Sequence, residues 1–150
     1  MPLNTRLRAW LYAAFAALFL SGAGWLVADW FQGAPGAGDQ RELASWLLMV
    51  HGSLAMPVLM LLGALFPLHI QGSWRRGKNL GSGVTMLAVN GILILTALGL
   101  YYFGAEALRR WTSDLHIAVG LAFPVLLTLH VVLGKRNSLR RPLEVIVRDR

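Results

Sequence analysis

The chain has no cysteine. That absence excludes disulfides, thiolate metal sites, iron–sulfur ligation and covalent c-type haem attachment. Charge is also scarce: charged residues make up 14% of the 150, and only seven are Asp or Glu. Almost none of these carboxylates falls inside an apolar run. This counts against carboxylate-ligated metals and against a proton-coupled transporter, both of which need acids within the membrane. Histidine is sparse as well, with four in the whole chain.

Apolar side chains are what the chain does have. They make up 56% of the residues, and the mean hydropathy of +0.56 is not that of a water-soluble domain. The length suits a single domain, residues 1–150. The net charge of +7 could point to nucleic acid. The Lys and Arg residues, however, lie between and after the apolar runs, which is a membrane-protein pattern, so no nucleic-acid partner is expected.

Four spans are expected, at about 10–29, 43–70, 82–103 and 114–134, followed by a basic tail at 135–150. Each is near or above the ~20 residues a bilayer crossing requires. The first could instead be a signal peptide, since Arg6 and Arg8 lead into an apolar run and then a stretch of small residues. A signal core usually has only about 7–15 apolar residues, so a retained helix is the better reading. The stretch from Gln32 to Gln40, rich in Gly and Pro, reads as a loop. A second loop is expected to hold Glu106, Arg109, Arg110 and Asp114. Pro57 and Pro67 mark expected kinks in the second span.

In hydrocarbon every backbone amide must be satisfied within the structure, and runs without alternation exclude barrel strands, so the spans are helices. The expected fold is an all-α integral membrane protein, a four-transmembrane-helix up-down bundle. Eleven Lys and Arg residues fall on the side of the two termini and three (Arg41, Arg109, Arg110) on the other. The positive-inside rule then places both termini in the cytoplasm. Tryptophans 10, 30, 46, 74 and 111 sit near span ends, as interfacial anchors do. The expected location is a bacterial inner membrane, crossed several times.

The histidines fall in two pairs. His116 and His130 are fourteen residues apart in the fourth span, and His51 and His69 are eighteen apart in the second. Those spacings are nearly four and five helical turns, so each pair shares a face, over about 21 and about 27 Å respectively. The two helices run in the same direction. His51 and His116 lie toward the non-cytoplasmic side, His69 and His130 toward the cytoplasm. Two such helices can clamp two flat cofactors, and haem suits the geometry: a bis-imidazole iron is six-coordinate and favours electron transfer. Gly120 and Gly134 each follow a histidine of the fourth span by one turn, where a porphyrin needs close approach. Gly52, Gly63, Gly91 and Gly99 are further candidates. Propionates would find cations in Arg41, Arg109 and Arg110 on one side, and in Arg75, Arg76, Lys78, Lys135 and Arg136 on the other.

These features resemble the dihaem b-type membrane cytochromes: bacterial cytochrome b561-type proteins, hydrogenase b-type subunits and the four-helix core of the bc-complex cytochrome b. His116-x13-His130 has the spacing of the bc-type core, whereas the His51/His69 pair is longer by four residues. The resemblance covers about Trp10 to Gly134. It implies non-covalent haem b, with His51, His69, His116 and His130 as iron ligands, and electron exchange with quinone or with a partner redox protein. Two haems are expected, or one if His69 stays at the interface.

Simpler readings stand beside this one. An intramembrane histidine can serve only as a helix-packing hydrogen bonder. The same holds for Asn90, expected to bond between helices, and Ser53, Thr85 and Thr96 read as helix-packing or back-bonded hydroxyls. The glycines suit close helix packing as well as they suit haem clearance, and Met49, Met56, Met60 and Met86 read as filler. A zinc ion cannot bridge two histidines so far apart along one helix. The basic tail suits a lipid surface, and its Leu143–Val147 run could dock a partner.

The expected function is transmembrane electron transfer through two bis-histidine b-type haems, between quinone and a periplasmic or complex-bound partner. The alternative is a haem-free membrane anchor or small transporter subunit with structural histidines. Whether the chain is itself an enzyme is not fixed by its sequence.

Overall fold

The computed structural model describes residues 5–31, 38–67, 71–72 and 80–148, with side chains in the last helix described as far as residue 136. The described residues form helices α1 (Thr5–Trp30), α2 (Gly38–Leu65), α3 (Leu80–Tyr102) and α4 (Glu106–Arg148). All four are long and apolar enough to cross a membrane. At 1.5 Å per residue, α1 to α3 measure about 39, 42 and 34 Å, against a hydrocarbon thickness of about 30 Å.

The chain divides into two compact units, Met1–Gly72 and Ser73–Arg150. In the first, α1 packs against α2; in the second, α3 packs against α4. The contact between α1 and α2 is lined largely by small and aliphatic side chains: Leu11, Ser21 and Ala28 from one helix, Ala44, Val58 and Leu65 from the other. Small residues let helix backbones approach, the usual basis of helix pairing where water supplies no drive. At Gly24 an added Cβ would lie 3.4 Å from Leu47 Cδ1, so this glycine is part of the contact. In the second unit Val89, Thr96, Thr112 and Phe123 are buried. Most other large apolar side chains face outward, including Leu20, Met60, Leu95 and Val125, each more than 60% exposed. A water-soluble protein seldom leaves so much apolar surface uncovered.

The second hairpin turns within three residues, Phe103 to Ala105. Phe103 N donates to Gly99 O at 2.8 Å, and Arg109 N donates to Ala105 O at 3.0 Å, opening α4. The Phe103 ring lies back over Gly99, where a Cβ would meet its Cε2 at 2.6 Å and Thr112 Cγ2 at 3.1 Å.

One expectation needs correction. The segment read as a loop around Glu106, Arg109, Arg110 and Asp114 is the first part of α4. Its residues favour helix, and Glu106 sits in the first turn, where the helix dipole stabilises a carboxylate. Arg110 Nη2 lies 3.7 Å from Glu106 Oε1, one turn on. At the other end the backbone helix continues beyond Gly134, through the basic tail, to Arg148. The α-helical part of α2 runs to Leu65, with Phe66 and Pro67 in a wider turn, and the rest of the expected span to Ile70 lies outside the described residues. Pro67 disfavours α geometry at the residue before it.

Candidate haem-ligand site

Three of the four histidines are described, and all three are half-buried. His51 lies thirteen residues into α2 and His116 ten residues into α4, about 20 and about 15 Å from the helix starts. The earlier start of α4 thus puts His116 almost three turns inside its helix, not at the beginning of it. His69 and the turn residues Arg75 and Arg76 lie outside the described residues.

In the first unit, His51 Nδ1 is 2.8 Å from the backbone carbonyl of Leu18 in α1 and 3.3 Å from Ser21 Oγ. A carbonyl can only accept, so in the neutral imidazole Nδ1 carries the proton and Nε2 the lone pair. Ser21 Oγ itself donates to Leu18 O at 3.0 Å. The ring lies flat against α1 because residue 22 is glycine: a Cβ there would stand 2.9 Å from Cε1 and 3.0 Å from Nδ1. Leu18, Ser21 and Gly22 form one helical turn that seats one imidazole.

The second unit repeats the device. His116 Nδ1 is 2.8 Å from Thr96 Oγ1 in α3. Thr96 Oγ1 donates to Ile92 O at 2.7 Å and is 3.1 Å from Leu93 O. Its single proton is committed to those carbonyls, so the hydroxyl accepts from Nδ1–H and again leaves the lone pair on Nε2. His130 Nδ1 is 3.2 Å from Ser82 Oγ, also in α3. In each hairpin the odd-numbered helix supplies oxygens and the even-numbered helix supplies imidazoles. Metal-bound histidines commonly show this arrangement, donating the nitrogen that does not ligate to an oxygen and so fixing tautomer and ring orientation.

The remaining expected residues divide. An added Cβ at Gly120 meets only Leu93 Cδ2, at 4.0 Å, so close packing within the hairpin does not account for this glycine. Gly63 and Gly91 are similarly open, with nothing within 4 Å. Gly134 is half-buried. Arg109 and Arg110 are exposed in the first turns of α4. By helical spacing Arg109, seven residues before His116, shares its face, while Arg110 is turned away by over 100° and meets Glu106. Among the described residues no three His, Cys, Asp or Glu side chains gather around one point.

Thr85 Oγ1 donates to Gly81 O, the back-bonded role expected of it. Thr96 is back-bonded too, but it also holds His116. Asn90 Nδ2 donates to Met86 O at 2.8 Å, within its own helix rather than between helices. Sequence reasoning missed Leu18, Ser21, Gly22 and Ser82. A signal existed for two of them: Ser21-Gly22 is a polar-small step in the middle of an apolar span.

Compared with protein-family models, with curated proteins and with solved structures, the chain matches none of them.

Proposed function

We propose that the chain is a multi-pass membrane cytochrome b that carries electrons across a bilayer, with both termini in the cytoplasm. The observation that carries this reading is the common seating of His51, His116 and His130. Each Nδ1 is bonded to an oxygen of the paired helix, which at His51 and His116 puts the lone pair on Nε2, the nitrogen that would ligate. A histidine kept only for packing has no need of the same tautomer in two separate hairpins.

On this reading His51 and His116 serve one haem b and His69 and His130 the other, an assignment resting on their matched depths in the sequence. The chain's own residues hold the imidazoles in one orientation, leave room at Gly120, and present Arg109 on the His116 face for a propionate. Haem supplies one-electron chemistry when bound, and a six-coordinate iron favours transfer over oxygen binding. The apolar outer surface of the helices suits lipid, and the concentration of Lys and Arg on the side of the termini supports the orientation. Electrons would pass between quinone and a redox partner or larger respiratory complex.

The same three histidine bonds also suit a haem-free anchor, because bonds of this kind hold membrane helices together, contributing about 0.6 to 2 kcal/mol each. The optical spectrum of the purified protein separates the two readings. A b-type spectrum that sharpens on dithionite reduction, with two haems per chain by pyridine haemochromogen, is expected. A colourless, iron-free protein that takes up no added haemin overturns the cytochrome reading.

A further inference from the structure

We propose that Thr96 is the positioning residue of His116, fixing its tautomer and the donor strength of the nitrogen that ligates. The inference rests on the cytochrome reading only for its consequence; the hydrogen-bond chain stands by itself. Three oxygens and one nitrogen meet at this point in the α3–α4 hairpin. Thr96 Oγ1 lies 2.7 Å from Ile92 O and 3.1 Å from Leu93 O, one turn back in the same helix. Two oxygens at 2.7 Å repel unless a proton lies between them, so the hydroxyl proton points at Ile92 O. The lone pairs of Oγ1 face the other way, and His116 Nδ1 sits there at 2.8 Å, short for an N–H···O bond. Nδ1 is therefore the donor.

Thr96 is buried, with about 7% of its surface exposed, so water does not compete for its lone pair. A hydroxyl already donating to a carbonyl is polarised and accepts more strongly. Donation from Nδ1 into such an acceptor makes the imidazole more basic at Nε2, and a more basic ligand favours ferric over ferrous iron. Thr96 thereby lowers the potential of the haem that His116 binds. His51 is served differently, since its first acceptor is the Leu18 carbonyl, which no side-chain substitution removes.

The test compares full-length wild type with Thr96→Val and Thr96→Ser in detergent micelles. Valine keeps the shape and removes the acceptor; serine restores it. Nitrogen NMR of histidine-labelled protein, with His116 assigned by its loss in His116→Gln, reads the tautomer before haem is added. Haemin titration and a redox titration then read retention and potential. The expected result is protonated Nδ1 in wild type and Thr96→Ser. Thr96→Val should lose the hydrogen-bonded Nδ1–H signal, hold one haem about 10- to 100-fold more weakly, and titrate at higher potential. A wild-type His116 protonated at Nε2 overturns the proposal, as does a Thr96→Val protein with unchanged haem retention and potential. If Thr96→Val does not fold, Thr96→Ala at matched helicity is read in its place with the same expected outcomes. A wild type that takes up no haemin overturns the cytochrome reading instead, and the NMR result still decides the role of Thr96.

Discussion

Gly22→Ala puts the seat of His51 under direct strain. The added methyl would lie 2.9 Å from Cε1 and 3.0 Å from Nδ1, whereas carbon atoms settle at about 3.5–4.0 Å. The ring must therefore retreat from α1 by about 0.6–1.1 Å. That stretches the 2.8 Å bond from Nδ1 to Leu18 O to roughly 3.4–3.9 Å, outside the range of a useful N–H···O bond. Losing an interhelical bond of this kind costs about 0.6–1.7 kcal/mol in a membrane, and overpacking that the ring cannot relieve costs about 1–3 kcal/mol. Against this, alanine gains about 0.5–1 kcal/mol over glycine inside a helix. The losses exceed the gain by about 0.6–4.2 kcal/mol, a range whose lower end makes stability alone a weak readout. A matched control sharpens it: Gly83, where a Cβ meets nothing within 4 Å, carries the helix gain without the clash. The expected order of stability in SDS unfolding from mixed micelles is Gly83→Ala, wild type, Gly22→Ala. In haem-loaded protein Gly22→Ala should also weaken or perturb one haem while sparing the other. A Gly22→Ala protein as stable as Gly83→Ala, with an unaltered haem spectrum, refutes the seating of His51 on α1.

Further substitutions test the remaining contacts. Ser21→Ala should change stability by less than about 0.5 kcal/mol and leave haem content intact, because the Leu18 carbonyl at 2.8 Å still holds Nδ1. Ser82→Ala, which removes the hydroxyl 3.2 Å from His130 Nδ1, should lower retention of the haem that the proposal assigns to His130; equal retention in both variants would contradict the contrast. Gly99→Ala drives a methyl to within 2.6 Å of Phe103 Cε2 and 3.1 Å of Thr112 Cγ2. It should destabilise the α3–α4 hairpin by about 1–3 kcal/mol, read as a lower Tm in detergent, and an unchanged Tm would mean that the turn is packed otherwise. His69→Ala should reduce the pyridine-haemochromogen count from two haems per chain to one, and a count still at two removes His69 from the ligand set.

The sequence carried the helices more clearly than their ends. Long apolar runs marked four elements, because a run of that length without alternation satisfies its backbone amides as a helix. The start of α4 was obscured by Arg109, Arg110 and Asp114, whose charges read as a loop. Charge reports where water is, not where a helix begins, and Glu106 opens the helix eight residues before the apolar run. Near the end of α2 the signal was a proline: Phe66 and Pro67 leave α geometry where the sequence places Pro67 inside an apolar run. Within the site, His51, His116 and His130 were legible because an imidazole among apolar residues is conspicuous. Their partners were not, since Thr96 looks like any back-bonded hydroxyl, and a backbone carbonyl such as Leu18 O has no sequence signature at all.

The pairing of helices also divides the labour between them in a way that spacing along one helix could not reveal. Helices α1 and α3 contain no histidine. Even so, each places an oxygen on Nδ1 of a histidine in its partner: Leu18 O with Ser21 Oγ for His51, and Thr96 Oγ1 for His116. In both cases the hydroxyl is also bonded to the carbonyl of a leucine three residues back. A back-bonded hydroxyl on a lipid-facing surface does nothing for its partner helix, but here the same bond aims the remaining lone pairs across the hairpin. The polar residues of α1 and α3 therefore act through the imidazoles of α2 and α4. Substitution of Thr96 should appear first in the tautomer of His116, before any loss of helix or hairpin, whereas at His51 the Leu18 carbonyl keeps the proton on Nδ1 whatever stands at residue 21.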